Sequence, residues 1–90
     1  MLFLNNDFVY RKIYNVHLLI PICRNDITMD TISLNDTAAL IINKCNKSES
    51  VDELASCVAN EFIDVDKDEI ISDIREYVME LISEGLIKEQ

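Results

Sequence analysis

The chain has few of the residues that break regular structure, since its 90 residues include one glycine and one proline. Hydrophobic residues make up 49% of the sequence, whereas disordered segments are poor in apolar residues. The composition therefore predicts one compact domain over residues 1–90. A domain of this size buries only about 60 to 65% of its unfolded surface. Little apolar surface is left for a deep catalytic pocket, so we expect binding at a surface groove or edge.

Residues that carry chemistry are also scarce. His17 is the only histidine, and no serine or cysteine is spaced to form a triad with a base and an acid. The three cysteines, Cys23, Cys45 and Cys57, contain no CxxC pair and fit neither a disulfide framework nor a zinc site. We therefore predict no enzyme activity, no catalytic residue, no metal and no cofactor, with free thiols in a reducing cytoplasm.

Positive charge is the third shortage, since 8 Lys and Arg face 17 Asp and Glu for a net charge of −9. Residues 35–90 hold five of the bases and fourteen of the acids. Such a surface repels nucleic acid and anionic membranes. The opening residues lack the basic region of a signal peptide, and no apolar run approaches the roughly 20 residues that span a bilayer. We predict a cytoplasmic protein without nucleic-acid or membrane partners.

The first part of the chain alternates apolar and polar residues with a period of two, which is typical of β-strands. We predict strands at about 8–13, 16–22 and 28–34, with a tight turn at Tyr14 and Asn15 between the first two. The second strand places one apolar row on a single face, formed by Val16, Leu18, Ile20 and Ile22. We expect Ile32 and Leu34 of the third strand to point the same way as this row.

The periodicity becomes helical at Asn35, a good helix cap. We predict helices at about 36–45, 51–62 and 67–84. Ser50 and Glu53 match a capping box, Asp66 begins a second one, and Gly85 supplies the left-handed stop before a short apolar tail. Strands followed by helices predict an α+β fold: a three-stranded antiparallel sheet followed by a three-helix, winged helix-turn-helix-like bundle.

The third helix has an apolar face that is wider than one packing contact requires. At 100° per residue, this face covers about 140° of the helix circumference; its residues are Ile70, Ile71, Ile74, Tyr77, Val78, Leu81 and Ile82. Either the whole face is core, or one flank packs on the core while the other lines a groove. If the third strand is a free edge, an extended peptide can add to it as a further strand.

Four segments of the chain resemble the pyrroloquinoline quinone biosynthesis protein D (PqqD) family, also called the RiPP recognition element. They are VHLLIP at 16–21, ISLNDTAA at 32–39, SVDELA at 50–55 and SDIREYVMELISEGLI at 72–87. The resemblance covers residues 8–87. It implies a winged-helix-like domain that binds the leader of a ribosomally made precursor peptide between its third strand and third helix. The implied partners are that leader peptide and a modifying enzyme such as a radical SAM maturase.

The resemblance also implies which residues contact the peptide, although the sequence does not show which flank of the third helix lines the groove. It assigns the backbone of Thr28, Met29, Asp30, Thr31, Ile32 and Ser33, and the side chains of Ile71, Arg75, Val78 and Ile82. Arg75 then pairs with a carboxylate of the leader. The alternative is a surface salt bridge between Arg75 and Glu76 or Glu80.

Two other functions remain to be weighed against this adaptor role. A winged helix can bind DNA through its third helix, but residues 66–84 hold seven acids against Lys67 and Arg75, the reverse of a recognition helix. The domain could instead regulate or assemble another protein, which the fold alone does not exclude. We predict a non-catalytic adaptor that binds a leader peptide and presents it to a modifying enzyme.

Overall fold

The computed structural model describes residues 1–22, 31–46 and 48–90. The elements in chain order are β1 Leu2–Leu4, β2 Phe8–Ile13, β3 Val16–Pro21, β4 Ile32–Leu34, α1 Asp36–Cys45, α2 Val51–Ala59, α3 Lys67–Ser83 and β5 Ile87–Glu89. β2, β3 and β4 form an antiparallel sheet in that order, and β1 pairs with β5 in a separate two-stranded sheet. The predicted α+β fold, a three-stranded sheet followed by three helices, is confirmed.

The turn between β2 and β3 has the predicted position. Tyr14 has a φ of 49° and Asn15 a φ of 67°. Two consecutive left-handed residues form a type I′ turn, whose twist matches that of the strands that it joins. The hairpin therefore has a two-residue loop, and this loop fixes the register of β2 against β3.

The faces of β3 differ from the prediction. The register pairs Leu19 with Ile32 and Leu18 with Ser33. Paired residues share a face, so Ile32 lies on the face of the fully buried Leu19 and not on that of the row containing Leu18. The expectation that Ile32 and Leu34 point the same way as this row is wrong. The face with Val16, Leu18 and Ile20 is more apolar than the face with His17, Leu19 and Pro21, so hydrophobicity alone selects the wrong face of β3.

The strand bounds are shorter than predicted. β3 ends at Pro21 instead of residue 22, although the Ile22 amide still donates to the Asp7 carbonyl at 2.8 Å. β4 begins at Ile32, and Thr31 just before it is not paired as a strand residue. The predicted strand residues 28–30 lie outside the described residues, as does Cys23.

All three predicted helix caps are present. The side chain of Asn35 accepts a hydrogen bond from the amide three residues later at 2.7 Å, and Ser50 accepts from the Glu53 amide at 3.2 Å. The Asp66 carboxylate accepts from two amides in the first turn of α3. Glu53 accepts in turn from the Glu49 amide at 3.2 Å. These caps satisfy donors that the first turn of each helix leaves free.

α2 ends at Ala59, three residues earlier than predicted. The Lys67 ammonium group lies 2.8 Å from the Ala59 carbonyl and 2.5 Å from the Phe62 carbonyl. The Ala59 carbonyl also accepts from the Phe62 amide at 3.0 Å, so the ammonium group is a second partner for the last carbonyl of α2 and ties the start of α3 to the turn that follows α2. α3 ends at Ser83 instead of residue 84, and Gly85 has the expected left-handed φ of 81°.

The two-stranded sheet of β1 and β5 was not predicted. It joins the first and last described strands, with Leu2 opposite Glu89 and Leu4 opposite Ile87. Leu2 and Ile87 are fully buried in the same core as the helices. The segment after α3, predicted as a short apolar tail, is therefore a strand that completes the core. The largest fully buried side chains are Leu2, Leu19, Ile41, Ile42, Cys45, Leu54, Val58, Val78 and Ile87.

Candidate functional site

β4 lies at one edge of the three-stranded sheet. It pairs with β3 on one side, and none of the strands in the described part of the chain pairs with its other side. An edge strand keeps a row of backbone N–H and C=O groups that are free to pair with an added strand. The site is therefore defined by which β4 residues direct these groups outward.

The hairpin turn determines which residues of β3 form backbone hydrogen bonds with β2 and which with β4. In a two-residue hairpin, the closing residues Ile13 and Val16 exchange both backbone hydrogen bonds, and every second pair does the same. The bond from Ile22 to Asp7 at the far end of the hairpin keeps this alternation. Leu18 therefore bonds to β2, whereas its neighbours along β3 direct their backbone groups toward β4.

This alternation shows which β4 residue has backbone groups without a partner on β3. Leu19 pairs with Ile32 and His17 pairs with Leu34, so these two β4 residues bond to β3. Ser33 lies between them, and its N–H and C=O point away from β3 toward the open edge. A strand that continued to Thr31 would direct the groups of that residue outward as well.

α3 reaches the end of β4 through one hydrogen bond. The Tyr77 hydroxyl lies 3.4 Å from Oδ1 of Asn35, the residue that follows β4. The distance is at the long end for a hydrogen bond, yet it shows which side of α3 is turned toward β4. Otherwise, α3 packs mainly against α2 and β5, while β4 packs mainly against β3 and α1.

The opposite side of α3 faces α2. Nη2 of Arg75 lies 2.5 Å from Oδ1 of Asp52, in the first turn of α2. At 100° per residue, Ile71 and Ile82 lie within about 40° of Arg75 on the helix circumference, whereas Ile70 lies within about 20° of Tyr77. The two flanks of the wide apolar face are therefore a β4-facing flank, Ile70 and Tyr77, and an α2-facing flank, Ile71, Arg75 and Ile82.

The predicted site side chains lie mainly on the α2-facing flank. Arg75 forms a salt bridge, as the alternative interpretation held, but its partner is Asp52 and not Glu76 or Glu80. Ile71 and Ile82 are half-buried against the core, and Val78 is fully buried within it. Val78, Ile71 and Ile82 therefore share one core with Ile32 and Leu34 of β4, whereas the guanidinium group of Arg75 turns to α2.

The predicted backbone residues divide into two groups. Thr31, Ile32 and Ser33 lie together at the edge of the sheet. Thr28, Met29 and Asp30 lie outside the described residues. The sequence pattern places Tyr77 on the apolar face of α3 but does not assign it to the site, because no local signal connects it with the Asn35 cap 42 residues away.

A shallow depression opens beside Ile70 at the start of α3. Its volume is about 260 Å³, and it is lined by Val65, Asp66, Glu69, Ile70 and Asp73. Val65 is 40% exposed, so the depression has apolar surface in contact with solvent. It offers room for a side chain on the same side of α3 as Ile70.

Both ring nitrogens of His17 have hydrogen-bond partners that connect secondary-structure elements. Its Nδ1 lies 2.6 Å from the Tyr10 hydroxyl, and its Nε2 lies 3.0 Å from Oδ1 of Asp36. One neutral tautomer satisfies both bonds: the tyrosine donates to Nδ1, and Nε2–H donates to the carboxylate. The histidine thus joins β2, β3 and α1, and no serine or cysteine takes part in this group.

The remaining reactive groups do not form a site of their own. Burial raises the pKa of the Cys45 thiol to about 11, and its sulfur donates to the Ile42 carbonyl at 3.1 Å, so it stays a thiol at neutral pH. Cys57 is exposed. Within residues 1–22, 31–46 and 48–90, no three metal-ligating side chains come together, and no helix is long and apolar enough to cross a bilayer.

Comparison with known proteins identifies the family of the chain. No curated protein and no solved structure matches the chain. A family model described as Coenzyme PQQ synthesis protein D (PqqD) matches residues 25–87, a span that includes β4 and all three helices. The match confirms the resemblance and covers more than half of the sequence. The chain therefore belongs to the PqqD family, whose members are non-catalytic peptide-binding chaperones.

Proposed function

We propose that the chain binds the leader of a ribosomally synthesised precursor peptide as a fourth strand on β4 and presents it to a modifying enzyme such as a radical SAM maturase. Family membership supports peptide binding. The observation that carries the proposal is the edge itself. Ser33 directs its backbone groups outward at a position where one flank of α3 is turned toward β4.

Backbone pairing alone does not account for tight binding. Ordering one peptide residue costs about 1–2 kcal/mol, and a backbone hydrogen bond returns a net of about 0.5–1.5 kcal/mol. Burial of an apolar side chain of leucine size contributes about 1.5–3 kcal/mol. A bound leader therefore needs apolar side chains that reach a protected surface.

The β4-facing flank provides such a surface. Alternate side chains of an added strand lie on the inner face of the sheet, the face of Ile32 and Leu34. There they approach Ile70 and Tyr77, and the depression beside Ile70 can receive one of them. We therefore place the peptide between β4 and the β4-facing flank.

The contacts implied for Ile71, Arg75, Val78 and Ile82 stay a prediction. For Arg75 to bind a peptide carboxylate, it would have to leave Asp52. For Val78 to touch a peptide, the core would have to open. These requirements favour a peptide bound against the β4-facing flank. Substitutions on each flank distinguish this position of the peptide from one against the α2-facing flank.

Hydrogen exchange of the β4 amides tests the proposal. The chain is labelled with ¹⁵N and titrated with synthetic leaders of candidate precursor peptides. We expect the Ser33 amide to exchange more slowly in the complex, because it gains a partner, while the Ile32 and Leu34 amides already bond to β3. A scrambled peptide of the same composition is the control. Unchanged exchange at Ser33 with saturating leader would exclude strand addition at this edge.

A further inference from the structure

The outer face of the three-stranded sheet is largely apolar. It consists of Val9, Arg11, Ile13, Val16, Leu18 and Ile20, which the register places opposite the buried inner face. Ile13 is 47% and Val16 is 46% exposed, although strand positions of this type are usually polar when they face water. An apolar row on the sheet face that is usually polar is a surface that a partner can cover.

The charge of this region is opposite to that of the rest of the chain. Residues 8–22 contain two bases, Arg11 and Lys12, and no acid, whereas the other residues contain six bases and seventeen acids. Arg11 lies in the middle of the outer face. The complementary surface is an apolar patch bordered by carboxylates, because opposite charges at the border favour association and orient the partner.

A second copy of the chain does not fit this face. Two outer faces in contact would bring their Arg11 side chains together, and like charges repel. The face is also small: six residues at about 3.3 Å each and three strands about 4.8 Å apart give an area below about 300 Å². A stable interface buries about 800 Å² on each partner. The partner must therefore touch a larger surface that includes the face.

A bound peptide would supply that extension. A strand added to β4 continues the same sheet, so every second side chain of the peptide lies on the outer face beside Ser33. Ser33 is exposed on this face, next to Leu18 in the register. The outer face and the outward side chains of the peptide then form one continuous surface.

We propose that this outer face is the docking site for the modifying enzyme. The enzyme presents an apolar patch bordered by acidic side chains to Arg11 and its neighbours, and it contacts the outward side chains of the peptide at the same time. This inference rests on the proposed function, because the peptide forms one edge of the composite surface. It explains how an adaptor without catalytic groups hands over its peptide without releasing it.

Two neighbouring charge reversals test the proposal. Arg11→Glu and Lys12→Glu make the same change at exposed, adjacent positions of β2, but the register places Lys12 on the opposite face. The affinity of the chain–peptide complex for the purified modifying enzyme is measured by sedimentation velocity. We expect Arg11→Glu to weaken it at least about tenfold and Lys12→Glu by less than about twofold. Val16→Asp, which removes apolar contact without reversing a base, should also weaken it.

Peptide binding is measured separately without enzyme. All three variants should bind the leader like the unmodified chain, so a failure of leader binding counts against the proposed function and not against the docking face. Equal effects of Arg11→Glu and Lys12→Glu on the enzyme, or no effect of Arg11→Glu and Val16→Asp, would overturn the docking face. Dimerisation of the chain alone that Arg11→Glu abolishes would also overturn it, because the face would then join two copies.

Discussion

Nε2 of His17 lies 3.0 Å from Oδ1 of Asp36, the first residue of α1, so the hairpin is fastened directly to the helical bundle. The other ring nitrogen bonds to the Tyr10 hydroxyl on β2 at 2.6 Å. The histidine side chain is 14% exposed, whereas the aspartate is 97% exposed. The bond to Asp36 therefore contributes less to the stability of the fold than the bond to Tyr10, because water readily replaces a partner of the exposed carboxylate.

His17→Leu should destabilise the domain by about 1–3 kcal/mol, since it leaves the part-buried Tyr10 hydroxyl without a partner. Asp36→Asn keeps a side-chain oxygen near Nε2 and should have a smaller effect. Urea unfolding followed by circular dichroism measures both changes. Tyr10→Phe combined with His17→Leu should recover part of the loss, because no polar group is then left unpaired. If Asp36→Asn costs more than His17→Leu, the bond to α1 dominates instead.

Proline at Ser33 and at Ile32 should give opposite results. Ser33 directs its N–H to the open edge, so Ser33→Pro should keep the native fold and lose most of its affinity for the leader. Ile32 bonds to Leu19, so Ile32→Pro breaks the ladder and should melt at a markedly lower temperature. Melting curves and leader titrations distinguish the two. Thr31 lies two residues before Ser33, so its N–H should point outward as well, and Thr31→Pro is a second test of which β4 amides face the open edge.

A well-folded Ser33→Pro variant that binds the leader as tightly as the unmodified chain would contradict strand addition. Such a variant would require the peptide to be held by side chains alone. If Ser33→Pro is destabilised while Ile32→Pro keeps the native fold, then Ser33 bonds to β3 and Ile32 directs its N–H to the open edge.

Ile70→Asp and Ile71→Asp compare the two flanks of α3 at neighbouring half-buried positions. On the β4-facing flank, Ile70→Asp should lower leader affinity about tenfold, which corresponds to the loss of one apolar contact. Ile71→Asp should lower stability and leave the affinity of the folded fraction unchanged. Isothermal titration with the leader measures the affinity of both variants, and each affinity is corrected for the folded fraction of that variant. The reverse result would place the peptide at the α2-facing flank.

Val78→Asp is not a test of binding, because the side chain is fully buried. An uncompensated carboxylate in the core, together with the loss of packing, should destabilise the domain by more than about 3 kcal/mol. We expect a variant that is unfolded or close to unfolding at room temperature. Val78→Ala, which creates a small cavity, should remain folded and bind the leader with unchanged affinity, and near-ultraviolet circular dichroism checks its packing.

Duplex DNA should not bind at physiological salt. Arg75 is paired with Asp52 and Lys67 with two carbonyl groups, so both cations of α3 already have partners. Seven acids between residues 66 and 84 would meet the phosphates with repulsion. Fluorescence anisotropy with a labelled duplex, in low and in physiological salt, checks this expectation. Sub-micromolar binding that weakens steeply with salt would contradict it.

Local signals in the sequence predict most of the helical half. Asn35, Ser50 and Asp66 cap helices where expected, because each cap depends on amides within three residues of it. The turn at Tyr14 and Asn15 is local in the same sense. Such features depend on neighbouring residues and can be identified without knowledge of the tertiary structure.

The remaining features depend on contacts between distant residues. The buried face of β3 is set by what packs on Leu19, whereas the more apolar row of that strand lies on the outer face. α3 packs on the core through Ile74, Val78 and Leu81. The contacts on its two flanks, Arg75 with Asp52 and Tyr77 with Asn35, leave no periodic signal in the sequence. The sequence therefore indicates the strand that forms the edge, whereas it does not indicate which flank of α3 is turned toward that strand.

The pairing of β1 with β5 has a consequence for biosynthesis. Leu2 leaves the ribosome long before its partner strand, which begins at residue 87, so the two strands can meet only after residues 87–89 have been synthesised. Until then the apolar side chain of Leu2 and the part of the core that Ile87 fills remain open to water. Contacts of such high sequence separation form late and slowly. The domain therefore reaches its final packing only after residues 87–89 have emerged, and a nascent chain arrested before them should remain sensitive to proteases.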